Sequence, residues 1–416
     1  MGTVPDPEPL KVLIIGAGSA GLLMGQVLKK AGISATIFEQ DASPTARQRD
    51  WDFGIYWAQS RITECLTPEL NALIDTVQTD PSYRHHAGST MPIHNGATGE
   101  LLKELPAPHA IRLRRRAWLD LIRTGLDVRY SKKLATITTT PTSVTATFTD
   151  NTTATGTLLI GCEGAHSLTR TWLFHNTPNP TDADLQHLPV STFATLTRYP
   201  RDTALALRAV HPTYSILLDT RDRFGWYSLH NKPSPNPEEW VFLIIFTWNY
   251  RAGDDHERLE RDGEYLLAEM RRNVGEGLAY PYDAMLRDIP RGTKVWYSRQ
   301  MACWPTKRWD GRGGRVTLAG DAAHAVSFHR GQGLGNAITD VAEFQGHLRA
   351  MKEQTPEELA RAVAKYEEEV WKRGHEVVME NKTNTLFLHD WEKVSQSPLF
   401  TTGVGRAGEV KGEGAQ

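Results

Sequence analysis

The chain has 416 residues, of which 40% are hydrophobic and 23% charged, and 47 Lys plus Arg against 49 Asp plus Glu give a formal net charge of −2. This balance is typical of a globular protein and argues against nucleic-acid binding, and the length favours two domains or one large composite fold. Cys65, Cys162 and Cys303 are far apart in the sequence, which indicates free thiols in a reducing compartment rather than a disulfide framework.

The first residues, MGTVPDPEPL, are polar and rich in proline, so we predict that residues 1–10 are disordered and are not a signal peptide. The longest strongly apolar run, WVFLIIF at 240–246, is too short to cross a bilayer. We therefore expect a soluble cytoplasmic protein with no membrane span. No pattern in the sequence predicts its oligomeric state.

Residues 11–40 have the pattern of a βαβ unit. KVLII predicts a buried strand, LLMGQVLKKAG a helix that ends near Gly32, and SATIFE a second strand that ends at Glu39. Between the first strand and the helix, Gly16, Gly18 and Gly21 complete G-x-G-x-x-G, with Ser19 inside the motif. Such glycines let the backbone approach a pyrophosphate at a helix N-terminus, and Glu39 can accept hydrogen bonds from ribose hydroxyls.

The middle of the chain has two different patterns. GTLLIGCEGAHSLTRTWL at 156–173 reads as a strand, a glycine turn and the start of a helix. Several stretches between residues 175 and 310 are rich in β-branched and aromatic residues, among them YSILLDT, FGWYSLHN and EWVFLIIFTWNY. They predict a mostly antiparallel sheet that forms one wall of a ligand pocket.

A third glycine turn, GDAAHAVSFHRGQG, spans residues 320–333 between a short strand and a helical stretch. His85, His86, His324 and His329 lack the spacing of a metal site, so we predict no bound metal. A hydrolase is disfavoured because Ser19 and Ser327 lack a nucleophile elbow.

The region after residue 350 is predicted to be helical. TPEELARAVAKYEEEVWKRGHEVV begins with Thr355 as a cap, Pro356 at the first helical position and Glu358 completing a capping box. Residues 401–416 are rich in glycine and lack an apolar face, so we predict a disordered tail.

Taken together, the three glycine turns resemble the fingerprints of the FAD-dependent aromatic hydroxylase family, the class A flavoprotein monooxygenases, and the sequence looks most similar to fungal members that tailor secondary metabolites. The resemblance implies that Asp321 binds a ribityl hydroxyl of FAD, and that the helix start at Gly331, Gly333 and Leu334 faces the flavin. It also implies that Arg116 approaches the flavin side chain. Gly54 lies where a backbone segment usually passes the cofactor.

Three positions depart from the family pattern. Glu163 stands where the family usually has Asp, Phe328 replaces a proline close to the flavin and the substrate, and Gly335 stands where Asn is usual. In the substrate region, where the alignment is loose, the resemblance points to Arg198 and Tyr227 as the catalytic residues that bind or deprotonate a phenol-like substrate.

The predicted fold is therefore α/β, with a Rossmann-like FAD-binding domain assembled from discontinuous segments, a β-rich substrate domain and further helices towards the C-terminus. We assign residues 11–80, 111–174 and 311–350 to the FAD-binding domain and residues 81–110 and 175–310 to the substrate domain. Residues 351–400 form the C-terminal helical region.

The resemblance implies an FAD-dependent monooxygenase, in which NAD(P)H reduces FAD and O2 forms a C4a-hydroperoxide that transfers oxygen to an aromatic or polycyclic small molecule. Hydroxylation is the leading reaction, and epoxidation or Baeyer–Villiger insertion stays open. The sequence has no second G-x-G-x-x-G between a predicted strand and a predicted helix, so NAD(P)H is expected to bind transiently. The alternatives are a flavin-dependent reductase or dehydrogenase, and a non-redox flavin protein that shapes a cyclisation.

Overall fold

The computed structural model describes residues 9–47 and 49–405. Nineteen strands lie in these residues: β1 (Lys11–Ile15), β2 (Ser34–Phe38), β3 (Asp52–Ile55), β4 (Thr90–Asn95), β5 (Leu101–Pro106), β6 (Ile111–Arg114), β7 (Val128–Arg129), β8 (Leu134–Thr139), β9 (Val144–Phe148), β10 (Thr153–Gly156), β11 (Leu158–Gly161), β12 (Gln186–Leu188), β13 (Val190–Thr197), β14 (Tyr214–Asp219), β15 (Arg223–Asn231), β16 (Val241–Asn249), β17 (Val295–Ser298), β18 (Met301–Cys303) and β19 (Val316–Leu318).

The same residues contain thirteen α-helices, together with short 3-10 turns and one π-helical turn: α1 (Ser19–Lys30), α2 (Gln59–Cys65), α3 (Pro68–Asn71), α4 (Arg115–Ile122), α5 (Leu168–Phe174), α6 (Arg201–Val210), α7 (His256–Arg261), α8 (Gly263–Met270), α9 (Tyr282–Arg287), α10 (Asp321–His324), α11 (Gly333–Arg349), α12 (Pro356–Leu388) and α13 (Pro398–Thr401).

A five-stranded parallel sheet, called here the parallel sheet, has the strand order β19-β11-β1-β2-β7. Its central strand β1 pairs with β2 on one side and with β11 on the other, so the strand order changes direction at β1. Strands buried on both faces need continuous apolar runs, and Val12, Leu13 and Ile14 are fully buried. This is a Rossmann-like arrangement, in which ligands bind beyond the carboxyl ends of the strands near the switch point.

A seven-stranded sheet, called here the large sheet, has the order β17-β13-β16-β15-β14-β4-β5. All its neighbouring strands are antiparallel except β14 and β4. One face packs under helices α6 to α9, and the opposite face turns towards the parallel sheet. The α/β fold with a β-rich second part is confirmed.

The long helix α12 begins as predicted. The Thr355 side chain accepts a hydrogen bond from the Glu358 backbone N–H, and Pro356 occupies the first helical position. The described helices include none that is long and apolar enough to span a membrane. Among residues 9–47 and 49–405, no group of three or more His, Cys, Asp and Glu side chains is placed to hold a metal ion.

The two segments predicted to be disordered are described only in part. Residues 1–8 and 406–416 lie outside the described residues. Leu10 is buried in the main core, although it falls in the first of these segments. Residues 401–405 also differ from the prediction, because they complete the end of α13 and pack against the protein, with Val404 buried.

Candidate active site

A cavity of about 1040 Å³ lies between the parallel sheet and the large sheet. The turn between β1 and α1 forms one end, where Gly16, Gly18 and Ser19 line the cavity. A Cβ atom added to Gly18 would meet no described atom within 4 Å, so the missing side chain leaves open space in front of the helix. Among the described residues no side chain caps α1, so its first N–H groups are available to a phosphate.

Gly16 and Gly21 are needed for packing within this turn. Gly16 has φ +103°, and an added Cβ would lie 2.5 Å from the carbonyl oxygen of Cys162, the residue after β11. At Gly21 an added Cβ would lie 2.0 Å from the Gly16 carbonyl oxygen. Gly21 therefore holds α1 against the turn and does not itself line the cavity, whereas the sequence placed it with the cofactor-binding residues.

Glu39 directly follows β2 and lines the cavity. Its carboxylate accepts hydrogen bonds from the backbone N–H groups of Ala17, at 2.8 Å, and Asp41, at 2.9 Å. These contacts orient the side chain between the glycine turn and the following loop. The assignment of the ribose to Glu39 stays a prediction.

The turn that begins at Gly320 brings Asp321 to the cavity. Gly320 has φ +63°, in the left-handed region, and its N–H donates to the buried Asp340 carboxylate at 2.6 Å. Asp340 also contacts His324 and Arg373, each at 2.7 Å. Burial alone would raise the pKa of Asp340, but these two partners outweigh it and hold the pKa below its ordinary value.

Asp321 lies inside the protein, but its side chain is exposed to the cavity. Burial raises the pKa of this carboxyl group. A carboxylate in such a place gains from a hydroxyl donor, as a ribityl chain would supply. His324 is fully buried and holds the turn through Asp340, which explains its presence without a metal.

The backbone of residues 328–334 runs along the cavity. Gly331 has φ +62°, and Gly333 and Leu334 begin α11, whose N-terminus faces the cavity. A 17-residue helix aimed at this point favours negative charge there. Phe328 also lines the cavity and is 37% exposed, so the residue that replaces the family's proline contributes directly to the wall.

Gly54 lies in β3 and lines the cavity. An added Cβ would lie 2.3 Å from the Tyr56 ring, and a Cβ at Gly331 would lie 2.8 Å from the same ring. Tyr56 is therefore wedged between two backbone segments that the sequence assigned to the flavin. The glycines at these positions make that close approach possible.

Arg116, which was predicted to approach the flavin side chain, lies in the first turn of α4. The Arg116 guanidinium donates to the Arg47 carbonyl at 2.6 Å and lies 3.8 Å from Asp50, and the residue lies outside the cavity lining. The neighbouring Arg115 lines the cavity instead, with its guanidinium 4.3 Å from the centre of the Trp51 ring. One position along the first turn of α4 rotates a side chain by about 100°, which accounts for the difference.

Arg198 and Tyr227, which were predicted to contact the substrate, also lie outside the cavity lining. Arg198 is exposed after the end of β13, and Tyr227 points into the core under the helices, where its hydroxyl donates to the Leu207 carbonyl at 3.0 Å. Successive side chains of a strand point to opposite faces. In β15 it is therefore Trp226, next to Tyr227, that lines the cavity.

A buried ionic cluster that sequence reasoning missed lies at the cavity floor. Asp52 and Arg112 both line the cavity and form an ion pair with side chains that are 0% and 5% exposed. Asp52 also accepts from Ser228 at 2.9 Å and contacts His230 at 3.2 Å, while Arg112 donates to the Tyr56 hydroxyl at 3.3 Å. Alternation along β15 relates Ser228 and His230 to Trp226, a signal that could have revealed the cluster.

His230 makes the stability of the protein depend on pH. Burial lowers its pKa, but hydrogen bonds to the carboxylates of Asp50 and Asp52 outweigh burial and raise the pKa to about 9. The stabilisation is complete below the unfolded pKa of about 6.5 and is lost as the pH rises through the folded value. We expect the free energy of unfolding to fall by about 2 kcal/mol between pH 7 and pH 9.

Urea unfolding at both pH values checks this expectation. In a His230→Gln variant the decrease should largely disappear, whereas the same substitution at the exposed His187 should leave it in place. An unchanged decrease in the His230 variant would contradict the role of this cluster.

Glu163 occupies the second glycine turn and lines the cavity. Its carboxylate accepts hydrogen bonds from the Ser167 hydroxyl at 2.9 Å and from the Thr169 N–H and hydroxyl at 2.9 and 2.6 Å. The longer side chain is thus engaged with the first turn of α5. The change from Asp to Glu is accommodated locally by these three donors.

The FAD binding domain family matches residues 9–50 and 119–381 of the chain. The FAD-dependent monooxygenase cctM of Talaromyces islandicus is 41% identical over 400 residues, which cover 96% of this chain and 98% of cctM. The FAD-dependent monooxygenase phnB of Penicillium herquei is 33% identical over 397 residues, which cover 94% of each chain.

Among solved structures, that of Klebsiella pneumoniae HpxO complexed with FAD and uric acid superimposes with a TM-score of 0.73. It is 18% identical and covers 96% of this chain and 94% of HpxO, which shows the shared fold. The open space at Gly18, the N-termini of α1 and α11 and the cavity-facing carboxylates of Glu39 and Asp321 fit a dinucleotide that carries a flavin. The chain therefore belongs to the FAD-dependent aromatic hydroxylase family, the class A flavoprotein monooxygenases, and resembles its fungal members.

Proposed function

We propose that this FAD-dependent monooxygenase uses NAD(P)H and O2, through a flavin C4a-hydroperoxide, to hydroxylate or epoxidise an aromatic or polycyclic small molecule in secondary metabolism. The observation that carries the proposal is the wall of the large sheet that faces the glycine turns. Alternating residues of three neighbouring strands line it: Thr192, Ala194, Phe224, Trp226, Leu243 and Ile245.

This wall suits a flat apolar substrate. Phe328 projects from the turn before α11, and its ring centre lies 6.2 Å from that of Phe224 at an interplanar angle of 63°. Ligand pockets favour such aromatic and aliphatic walls with a few polar groups. An apolar wall also keeps water from the reacting centre, which limits loss of the activated oxygen as H2O2.

Arg112 and Tyr56 supply polar groups beside this apolar wall. The Arg112 guanidinium lies 4.8 Å from the centre of the Trp226 ring and contacts the Tyr56 hydroxyl. A positive charge there would stabilise a phenolate, which is the more nucleophilic form of a phenol. We propose these two residues for substrate contact in place of Arg198 and Tyr227.

Several parts of the proposal depend on the sequence and the family. NAD(P)H is proposed to bind transiently, and the FAD-binding and substrate domains are proposed to have the boundaries predicted from the sequence. The cytoplasmic location likewise stays a prediction. Comparison of NADH with NADPH in the oxidation assay described next tests which of the two is used.

The test follows NAD(P)H oxidation by the FAD-loaded protein in air, with a panel of phenolic compounds and with H2O2 quantified. Stimulated oxidation with 18O from 18O2 in the product supports the proposed reaction. Oxidation of NAD(P)H without oxygen in the product would indicate a reductase or dehydrogenase. Conversion of a ligand without NAD(P)H would indicate the non-redox alternative.

A pair of variants tests the cavity wall. Trp226→Ala removes a ring from the wall and admits water, so we expect the share of NAD(P)H electrons that ends in H2O2 to rise. Tyr227→Phe is the matched control, because it changes the next residue on the opposite face of the same strand and should leave that share unchanged. Loss of coupling only in Tyr227→Phe would restore the original prediction for Tyr227.

A further inference from the structure

Residues 402–405, called here the wall segment, follow α13 and reach the cavity. Gly403 has φ +76°, and its N–H donates to the Pro398 carbonyl at 3.1 Å, which ends the short helix in a left-handed turn. The turn directs the next residues towards the cavity. Val404 lines it while only 3% exposed, and packs in the cluster that contains Tyr56 and Met91.

Two side chains from the flavin-facing turn hold the wall segment. Arg330 is 1% exposed, and its guanidinium donates to the carbonyl oxygens of Gly403, at 3.0 and 3.1 Å, and Gly405, at 3.2 Å. Gln332 donates to the Gly405 carbonyl at 3.0 Å. These are contacts to backbone atoms, so they fix the path of the segment whatever its side chains are.

Buried charge makes this attachment specific. The Arg330 guanidinium lies 2.7 Å from the Glu380 carboxylate of α12, and its remaining donors need acceptors that water does not reach. Gln332 is held in turn, because its side-chain oxygen accepts from Asn381 at 2.8 Å. The carbonyl groups of the wall segment thus complete a buried polar network that begins beside Gly331.

We propose that the wall segment is a specificity-determining wall of the substrate cavity, in which Val404 sets the size of the substrate that fits and Arg330 and Gln332 act as positioning residues. The inference rests on the proposed function in placing the substrate in this cavity. It goes beyond that function because it assigns selectivity to a part of the chain that is far in sequence from the three glycine turns.

The first test changes only the volume at Val404. Binding of phenol, 1-naphthol and 1,8-dihydroxyanthraquinone to the FAD-loaded protein is followed by the absorption change of the flavin, without NAD(P)H. In Val404→Phe the Kd of the three-ring probe should rise roughly tenfold or more relative to that of phenol, because hydrophobic pockets discriminate size on that scale. In Val404→Ala the ratio should move the other way.

Val394→Ala is the matched control, since Val394 is buried in the same cluster but lies outside the cavity lining. Its Kd ratio should equal that of the original protein. Equal ratios in all four proteins would overturn the role of Val404.

The second test does not require a bound substrate. A chain that ends at Thr401 lacks the wall segment, whereas a chain that ends at Gly405 keeps it. Iodide should quench the fluorescence of bound FAD more strongly in the shorter chain than in the longer one. The melting temperatures of the two chains establish that both are folded.

Equal quenching in two folded chains would overturn the inference. If the shorter chain fails to fold, the variants Arg330→Met and Gln332→Leu, made in the chain ending at Gly405, replace it. Quenching that is unchanged from that of the chain ending at Gly405 would again overturn the inference. Failure of every probe to bind the original protein would contradict the proposed substrate class, while the quenching comparison still decides whether the segment closes the cavity.

Discussion

Replacement of Gly18 by leucine is expected to abolish stable FAD binding without unfolding the protein. Gly18 has an extended backbone, with φ −80° and ψ −175°, so a leucine is tolerated by the chain itself. Its side chain would enter open space, since an added Cβ meets no described atom within 4 Å. That space is where the pyrophosphate must approach the N-terminus of α1.

The loss of these phosphate contacts should weaken FAD binding by at least about 100-fold, equivalent to about 2.7 kcal/mol. Titration of the apoprotein with FAD measures it, and the melting temperature of the apoprotein should change little. Gly253→Leu is a suitable control, because Gly253 is exposed, has an equally open surrounding and lies outside the cavity. Full FAD occupancy in Gly18→Leu would show that the cofactor does not use this turn.

Asp52→Ala is expected to give the largest loss of stability. The substitution leaves the Arg112 guanidinium, 5% exposed, without its main counter-charge, and removes a partner of the protonated His230. Removal of one partner of a buried pair typically costs about 3–5 kcal/mol, because the other charge stays buried without compensation. We expect the free energy of unfolding, measured with urea at pH 7, to fall by about that amount.

Glu260→Ala is the control for this prediction. Glu260 pairs with Arg299 at 3.4 Å, but both side chains are 43% exposed, so water replaces the lost partner. The stability of this variant should stay close to that of the original protein. Similar losses in both variants would contradict the role of the buried ion pair between Asp52 and Arg112.

Local patterns in the sequence were sufficient for the cofactor end of the molecule. The run KVLII, the glycines at 16 and 18 and the acid at 39 are contiguous features of one βαβ unit, and short-range backbone geometry determines where they lie. The same holds for Thr355, whose capping contact involves only the next three residues. The order of the strands in the parallel sheet follows from the usual rules for such units.

The residues that line the cavity on the side of the large sheet could not be predicted from local sequence patterns. Arg198 and Tyr227 were chosen by resemblance in a loosely aligned region, and a shift of one residue along a strand reverses the face of every side chain. On helix α4 a shift of one residue likewise separates Arg115, which lines the cavity, from Arg116, which does not. The contact between Asp52 and Arg112 joins β3 to β6, and the wall segment reaches Arg330 from 72 residues away in sequence, so neither contact leaves a local pattern.

The turn at residues 328–333 has a consequence for the way this enzyme can change. Phe328, Gly331 and Gly333 line the cavity, and Arg330 and Gln332 bind the wall segment. A substitution there would change the cavity lining and the contacts to the wall segment together, so its effect should depend strongly on the residues that pack against the turn. Leu243 and Ile245 lie on a regular strand and, within the described residues, make no hydrogen bond to the wall segment, so their exchange should leave the turn in place. Mutational libraries aimed at new substrates should therefore vary the strands first and treat the turn and Val404 as one jointly varied unit.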